Sequence, residues 1–312
     1  MMKKNKSKIK ILLIILLIFL TTGCTRTLTD KNNRAVKNET TGQTLTKNIL
    51  CKPTNKETKK IYEKNKVNIS KLPECENFKV NSGKYEGLWT GIFIKPLAFI
   101  LIWLGKNVKN YALSIIIVSL AIRLIIFPLT KKTAMQSERI KKAQPEINKI
   151  QKKYANKNDQ ESMIKQNQEI MLIYKKYNIS PLSGCLFAFI QLPVFLAFFE
   201  AIQRTPVIFE DKFLGLQLGT TPAIGITSSS FYSYIIIMLI ISATTYFSFK
   251  INSTANMEDP TMKMMPTMMT IMIIITALFM PSGLGIYWAT SNIFTIVQNI
   301  LIKRSSEVNG KA

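Results

Sequence analysis

Residues 111–129 form an apolar run long enough to cross a bilayer, and a single charge, Arg123, sits inside it. A guanidinium at membrane depth costs from about 2.5 to more than 10 kcal/mol at a helix centre, so such a residue usually faces protein or a water-filled cavity. A second reading stands beside this one. Lys131 lies eight residues further on, roughly 12 Å along a helix, and Arg123 could instead snorkel to that interface.

Composition supports a membrane chain. Of 312 residues 47% are hydrophobic, yet Lys+Arg number 42 against 18 Asp+Glu, a net charge of +24. One soluble core does not suit those values. Spans of about 20 apolar residues, alternating with basic loops that face an anionic cytoplasmic leaflet, do. A nucleic-acid binder would also be basic, but without membrane-length apolar runs between its charges. The chain has no histidine, which removes Ser-His and Cys-His catalysis and the usual metal ligand. It has neither a Walker A sequence nor GxGxxG, so nucleotide chemistry has no visible seat. The expectation is a protein that is not an enzyme and holds no cofactor, metal or small-molecule substrate.

The start reads as a targeting segment over residues 1–23. Lys3, Lys4, Lys6, Lys8 and Lys10 precede a ten-residue apolar stretch, 11–20, too short for a comfortable span. Gly23-Cys24 then resembles a bacterial lipobox, in which Cys24 is lipidated and becomes the new N-terminus. Thr21 stands where Leu is usual, and an uncleaved signal anchor is the alternative. Residues 24–87 read as a polar extracytoplasmic linker with little core of its own. Residues 25–87 carry 14 Lys+Arg against 7 Asp+Glu, which an outside location permits because long segments translocate largely regardless of charge. Cys51 and Cys75 fall here, either joined as a disulfide or as two free thiols. Cys185 opens an apolar run and reads as a small buried side chain.

Residues 88–105 are apolar but contain Lys95-Pro96, with Trp89 and Trp103 near the ends. A helix broken there suits an amphipathic segment on the outer surface. A short transmembrane helix is the alternative and would invert every following loop. Residues 131–180 hold 12 Lys+Arg against 5 Asp+Glu, short enough for the charge rule to place them in the cytoplasm. Spaced isoleucines over 133–154 and 160–177, with a turn at 155–159, predict a helical hairpin. Four further spans follow at about 182–202, 231–249, 264–280 and 284–302, the last two joined by Pro281-Ser282-Gly283. Five spans from an outside start bring residues 305–312 to the cytoplasm as a tail. The predicted fold class is all-α: a polytopic membrane protein with five transmembrane helices, an outer interfacial helix and a cytoplasmic helical hairpin.

Arg123 has polar company. Ser119 lies one turn earlier on the same helix face. Gln191 and Glu200 fall in the second span, Ser242, Thr244 and Thr245 in the third. Thr290, Ser291, Asn292, Thr295, Gln298 and Asn299 fall in the fifth. Interhelical hydrogen bonding explains Ser, Thr and Asn at below about 2 kcal/mol each. An Arg, a Gln and a polar fifth helix together are better explained by a wet groove. Paired carboxylates for a proton relay are missing, since Glu200 is the only acid within a span. The Met-rich stretch 257–272 reads as packing and lipid-facing side chains rather than a client surface.

These motifs run in order. Arg123 precedes Phe127-Pro128-Leu129-Thr130. Gln144-Pro145 marks the basic hairpin. Asn178-Ile179-Ser180-Pro181-Leu182-Ser183-Gly184-Cys185 and Gln191-Leu192-Pro193-Val194-Phe195 follow. Asp259-Pro260, Pro281-Ser282-Gly283-Leu284, Tyr287-Trp288 and Ser291-Asn292 complete the set. From about residue 89 to 304 the chain resembles the YidC family of membrane protein insertases. The lipobox and span count resemble its Gram-positive branch, and Ser180-Pro181-Leu182 departs from the usual Asn-Pro-Leu. The resemblance implies an insertase core over 111–304. Its groove would be open to cytoplasm and lipid and closed outside, lined by Arg123, Ser119, Gln191, Trp288 and Tyr287. Implied partners are nascent membrane proteins and the bilayer, with the ribosome, signal-recognition particle machinery and Sec translocon as further candidates. An assembly scaffold without translocation is a second reading. A solute transporter is a third, but it predicts inverted repeats and coordinating acids that the sequence does not offer.

Overall fold

The structure, a computed structural model, describes residues 25–157, 159–180, 183–252 and 260–308. The predicted leader, Cys24, Pro181, Leu182, Asp259 and residues 309–312 of the tail lie outside them. The chain is mostly helical: α1 Lys56–Lys64, α2 Lys95–Val108, α3 Tyr111–Tyr154, α4 Gln160–Lys176, α5 Ser183–Arg204, α6 Phe231–Asn252, α7 Pro260–Leu278 and α8 Ser282–Val308. A short antiparallel hairpin, β1 Lys212–Phe213 with β2 Leu216–Gln217, lies between α5 and α6. Among the described residues, three helices are long and apolar enough to cross a membrane: Thr90–Val108, Tyr111–Tyr154 and Phe231–Ile251.

Two helical boundaries differ from the sequence expectation. Lys95-Pro96 does not break its helix. A π turn, Thr90–Ile94, runs directly into α2 with Pro96 in its first turn, where a missing N–H costs little. Lys95 is buried, and its Nζ donates to the carbonyls of Ser82 at 2.6 Å and Lys84 at 3.1 Å. The first span and the first hairpin helix are likewise one 44-residue helix, α3, with Pro128 and Pro145 inside it. Thr130 and Thr133 donate their hydroxyls to Phe127 and Leu129 carbonyls in the preceding turn, so the polar stretch after the span satisfies itself in helical form.

The chain divides into two compact units. The first comprises Met1–Val118, Val194–Ile237 and Ala277–Tyr287. Here residues 25–87 are not the coreless linker their composition implies. Leu28, Leu45, Ile49, Tyr62 and Ile69 pack with Phe209 in one buried cluster. Leu28, Val36 and Leu45 exchange backbone hydrogen bonds of 2.8–3.0 Å. The Asn55 side chain caps α1 by accepting from Glu57 and Thr58 N–H, which satisfies donors a helix start leaves orphaned. Cys51 and Cys75 are joined as a disulfide. Lys109, at φ 53°, closes α2 by donating its N–H to Gly105, a left-handed cap. A Cβ on Gly105 would lie 2.2 Å from the Tyr111 ring, so only glycine allows that approach. The start of α8 is also tied down: Ser282 N–H and Oγ both donate to the Thr220 carbonyl and Gly283 N–H donates to Leu218.

The second unit comprises Ser119–Pro193, Met238–Thr276 and Trp288–Ala312. In it, α4 lies along the C-terminal part of α3. Ala143, Ile147 and Ile179 form a buried cluster flanked by Ile140, Ile173, Tyr174 and Tyr177. Charges border it: Lys176 pairs with Glu146 and Lys153 with Glu169, each at 2.7 Å. The phenols of Tyr177 and Tyr154 donate to the same two carboxylates.

Candidate functional site

Arg123 and Ser119 are 4% and 1% exposed, one turn apart on α3. The Arg123 Nη2 donates to the Gln191 Oε1 of α5 at 2.7 Å. A guanidinium is planar, always charged and all donor. A charge-assisted bond is about twice as strong as a neutral one, and low surrounding dielectric strengthens it further. Burial and a partner on another helix describe a side chain that faces protein.

Further polar contacts cross between helices in this unit. Thr130 of α3 meets Gln298 of α8 at 3.1–3.2 Å, both buried. Thr245 of α6 is buried, and its Oγ1 accepts from Trp288 Nε1 and from Asn292 Nδ2, each at 3.0 Å. Trp288 and Asn292 are one turn apart, so a single hydroxyl fixes both on one face of α8. The indole is thereby held by its N–H, with the residue half-buried. On the same helix Thr295 donates to the Ser291 carbonyl at 2.9 Å, and Ser291 Oγ is buried without a hydrogen-bond partner.

Tyr287 is a buried aromatic at the start of α8. It belongs to the first unit, is 1% exposed and stacks on Phe198 at 4.2 Å, with Phe195 at 6.4 Å. Its surroundings are those of a core aromatic. Arg123 and Gln191 are thus joined directly, Ser119 lies one turn from Arg123 on the same helix face, and Trp288 is tied to Thr245, which also holds Asn292. Thr245 and Asn292 were legible only as hydroxyl and amide groups in apolar runs; their shared bond with Trp288 carries no signature in sequence spacing.

Glu200, the lone acid of the spans expected from the sequence, lies in the first unit. Its Oε1 accepts from Trp89 Nε1 at 2.9 Å, and its Oε2 is 3.6 Å from Arg204. It is an ion-pair and hydrogen-bond anchor in that setting. Among the described residues, no group of three or more His, Cys, Asp or Glu is placed to hold a metal ion.

The profile of the family described as 60Kd inner membrane protein matches residues 103–309, two thirds of the chain. The chain belongs to this family. Curated relatives include the membrane protein insertase YidC of Oceanobacillus iheyensis, 37% identical over 224 residues, covering 70% of this chain and 85% of its own. The membrane protein insertase MisCA of Bacillus subtilis is 36% identical over 217 residues, covering 69% and 79%. A crystal structure of an active YidC insertase with its first transmembrane domain resolved overlaps at a TM-score of 0.49 and 23% identity. That overlap covers 77% of this chain and 52%, about half, of the other. Within the 60Kd inner membrane protein family match fall Arg123, Ser119, Gln191, Tyr287 and Trp288, whereas the disulfide-bearing residues 25–87 precede it.

Proposed function

We propose that this chain is a membrane protein insertase and chaperone. It moves short hydrophilic segments of client proteins through a hydrated intramembrane groove and releases their helices into the bilayer, without nucleotide hydrolysis. Family membership and the names of its relatives support the class of activity. The buried Arg123–Gln191 contact inside otherwise apolar helices is the observation that carries the mechanism.

A client segment must cross a hydrocarbon core about 30 Å thick. Water in a groove shortens the dry distance, and the Arg123 charge attracts acidic side chains in the segment. Partition of the client's own apolar helix into lipid completes the step. A membrane potential, worth about 2.3 kcal/mol per charge per 100 mV, draws acidic segments outward. Gln191 holds the guanidinium in place, Ser119 adds a hydroxyl on the same face, and Trp288, fixed through its N–H, offers a ring to the client. Tyr287, with its buried stacking, serves this scheme by packing the start of α8.

The proposed topology places five spans in the bacterial cell membrane: the first part of α3, then α5, α6, α7 and α8. Residues 24–87 lie outside with a lipid on Cys24, and residues 88–105 lie along the outer surface. The α3–α4 hairpin and the C-terminus are cytoplasmic. The basic charge of residues 131–180 supports this orientation. The hairpin is suited to receive nascent chains and to meet the ribosome, signal-recognition particle machinery or the Sec translocon. The test is site-specific photocrosslinking from positions 119 and 288 to a stalled nascent membrane protein. Adducts from both positions, with none from an exposed lipid-facing position such as Ile125, are expected. Equal adducts from all three would contradict a defined groove.

A further inference from the structure

Residues 25–87 precede the family match, yet they are folded and gripped by the end of α5. Arg204, the last residue of α5, is fully buried. Its Nε donates to the Asn48 carbonyl at 2.8 Å, its Nη1 to Thr90 Oγ1 at 3.3 Å, and its Nη2 pairs with Glu86. In return, the Arg204 carbonyl accepts from Leu50 N–H at 2.8 Å, and Thr46 Oγ1 donates to the Gln203 carbonyl at 3.2 Å. Three of these contacts fall on residues 46–50, immediately before Cys51. Just beyond it, Lys52 N–H donates to Pro73 at 2.9 Å, and Lys52 Nζ pairs with Glu74 at 3.0 Å. The disulfide to Cys75 therefore pins the stretch of chain that holds Arg204. Among the described residues the apolar cluster of this segment has six buried members, one of them Phe209 from outside the segment, with four partly buried side chains packed against them. Cores that small commonly depend on a crosslink.

We propose that the Cys51–Cys75 disulfide is a thiol-sensitive lock that keeps residues 25–87 attached to the end of α5. With the disulfide intact, residues 46–50 stay in register with Arg204. With it reduced, the segment loses the constraint on its unfolded state, and opening at Arg204 becomes frequent. Both cysteines are buried, at 0% and 3% exposed, so reduction follows segmental opening and the lock responds to sustained reducing conditions. The further consequence, that release impairs client insertion, rests on the insertase reading above.

The test uses the full chain in lipid nanodiscs, which expose both faces and so remove any dependence on orientation. Dithiothreitol takes the bond by exchange, leaving two thiols on the protein and a cyclic disulfide on the reagent. Completion is read by alkylation at Cys51 and Cys75. Trypsin cleavage within residues 25–87 should become about tenfold faster or more on reduction. The Cys51→Ala/Cys75→Ala variant should start at the fast rate and not respond to reductant. Arg204→Gln should also speed cleavage while its disulfide stays intact. An unchanged rate in the reduced protein, or the same reductant response in the double variant, would overturn the lock. Reconstituted insertion should fall in the reduced protein and in the double variant alike. Full insertion with a released segment would overturn the link to activity, whereas no insertion by the oxidised protein would count against the insertase reading instead.

Discussion

A guanidinium in an apolar helix becomes tolerable when a neighbouring helix offers it an oxygen, and Gln191 does so for Arg123 at 2.7 Å. Hydrogen bonds to charged groups contribute about 1.5–3 kcal/mol. Gln191→Leu should therefore lower the thermal stability of the purified protein by about that amount, whereas Ile125→Leu on an exposed helix face should not change it. An unfolding midpoint unchanged by Gln191→Leu would show that the contact does not hold the side chain. Arg123 itself was legible because it is the single charge in an apolar run. Its partner was visible as a polar residue but not as a partner, because helices 68 residues apart in sequence are brought together only by packing. Trp288 and Tyr287 show the same limit from the other side. Adjacent residues on a helix point about 100° apart, and here one is half-buried against Thr245 while the other is stacked in a core.

At the scale of elements, periodicity located the long helices well and said little about how they join. Spaced isoleucines marked the helices on either side of the 155–159 turn, but no apolar pattern records that α3 runs unbroken through Thr130 and Thr133, whose hydroxyls bond back to carbonyls of the same helix. The core of residues 25–87 is hidden in the sequence for a related reason. Their apolar residues come in ones to threes among Lys, Asn and Thr, and the core they form borrows Phe209 from far along the chain. The α3–α4 pair carries a prediction of its own. Hydrogen bonds from Lys176 and Tyr177 hold the Glu146 carboxyl below the usual glutamate range, and those from Lys153 and Tyr154 do the same for Glu169. A carboxyl with a lowered folded value stabilises above its unfolded value and loses that contribution as pH falls through the folded one. Protease resistance of residues 131–180 should accordingly decline as pH drops from the ordinary glutamate range downward. Glu146→Gln/Glu169→Gln should flatten that dependence; an unaltered profile would mean these pairs do not hold α4 to α3.

For the whole molecule, the proposed orientation depends on the basic loop between the first and second spans. Single cysteines placed within residues 131–180 should resist a membrane-impermeant thiol reagent in intact cells and react after permeabilisation. Labelling from outside would invert the arrangement and move the groove to the wrong face for a cytoplasmic client. The claim at the centre of the account is that Arg123 acts through its positive charge on the segment being moved. The direct measurement is insertion efficiency for matched clients with acidic or neutral extracytoplasmic segments, at equal insertase abundance. Arg123→Lys keeps a point charge while losing the planar fork, so it should retain much of the activity. Arg123→Ala should reduce insertion several-fold for acidic clients and less for neutral ones. Full activity of Arg123→Ala on every client, at normal abundance, would contradict the mechanism.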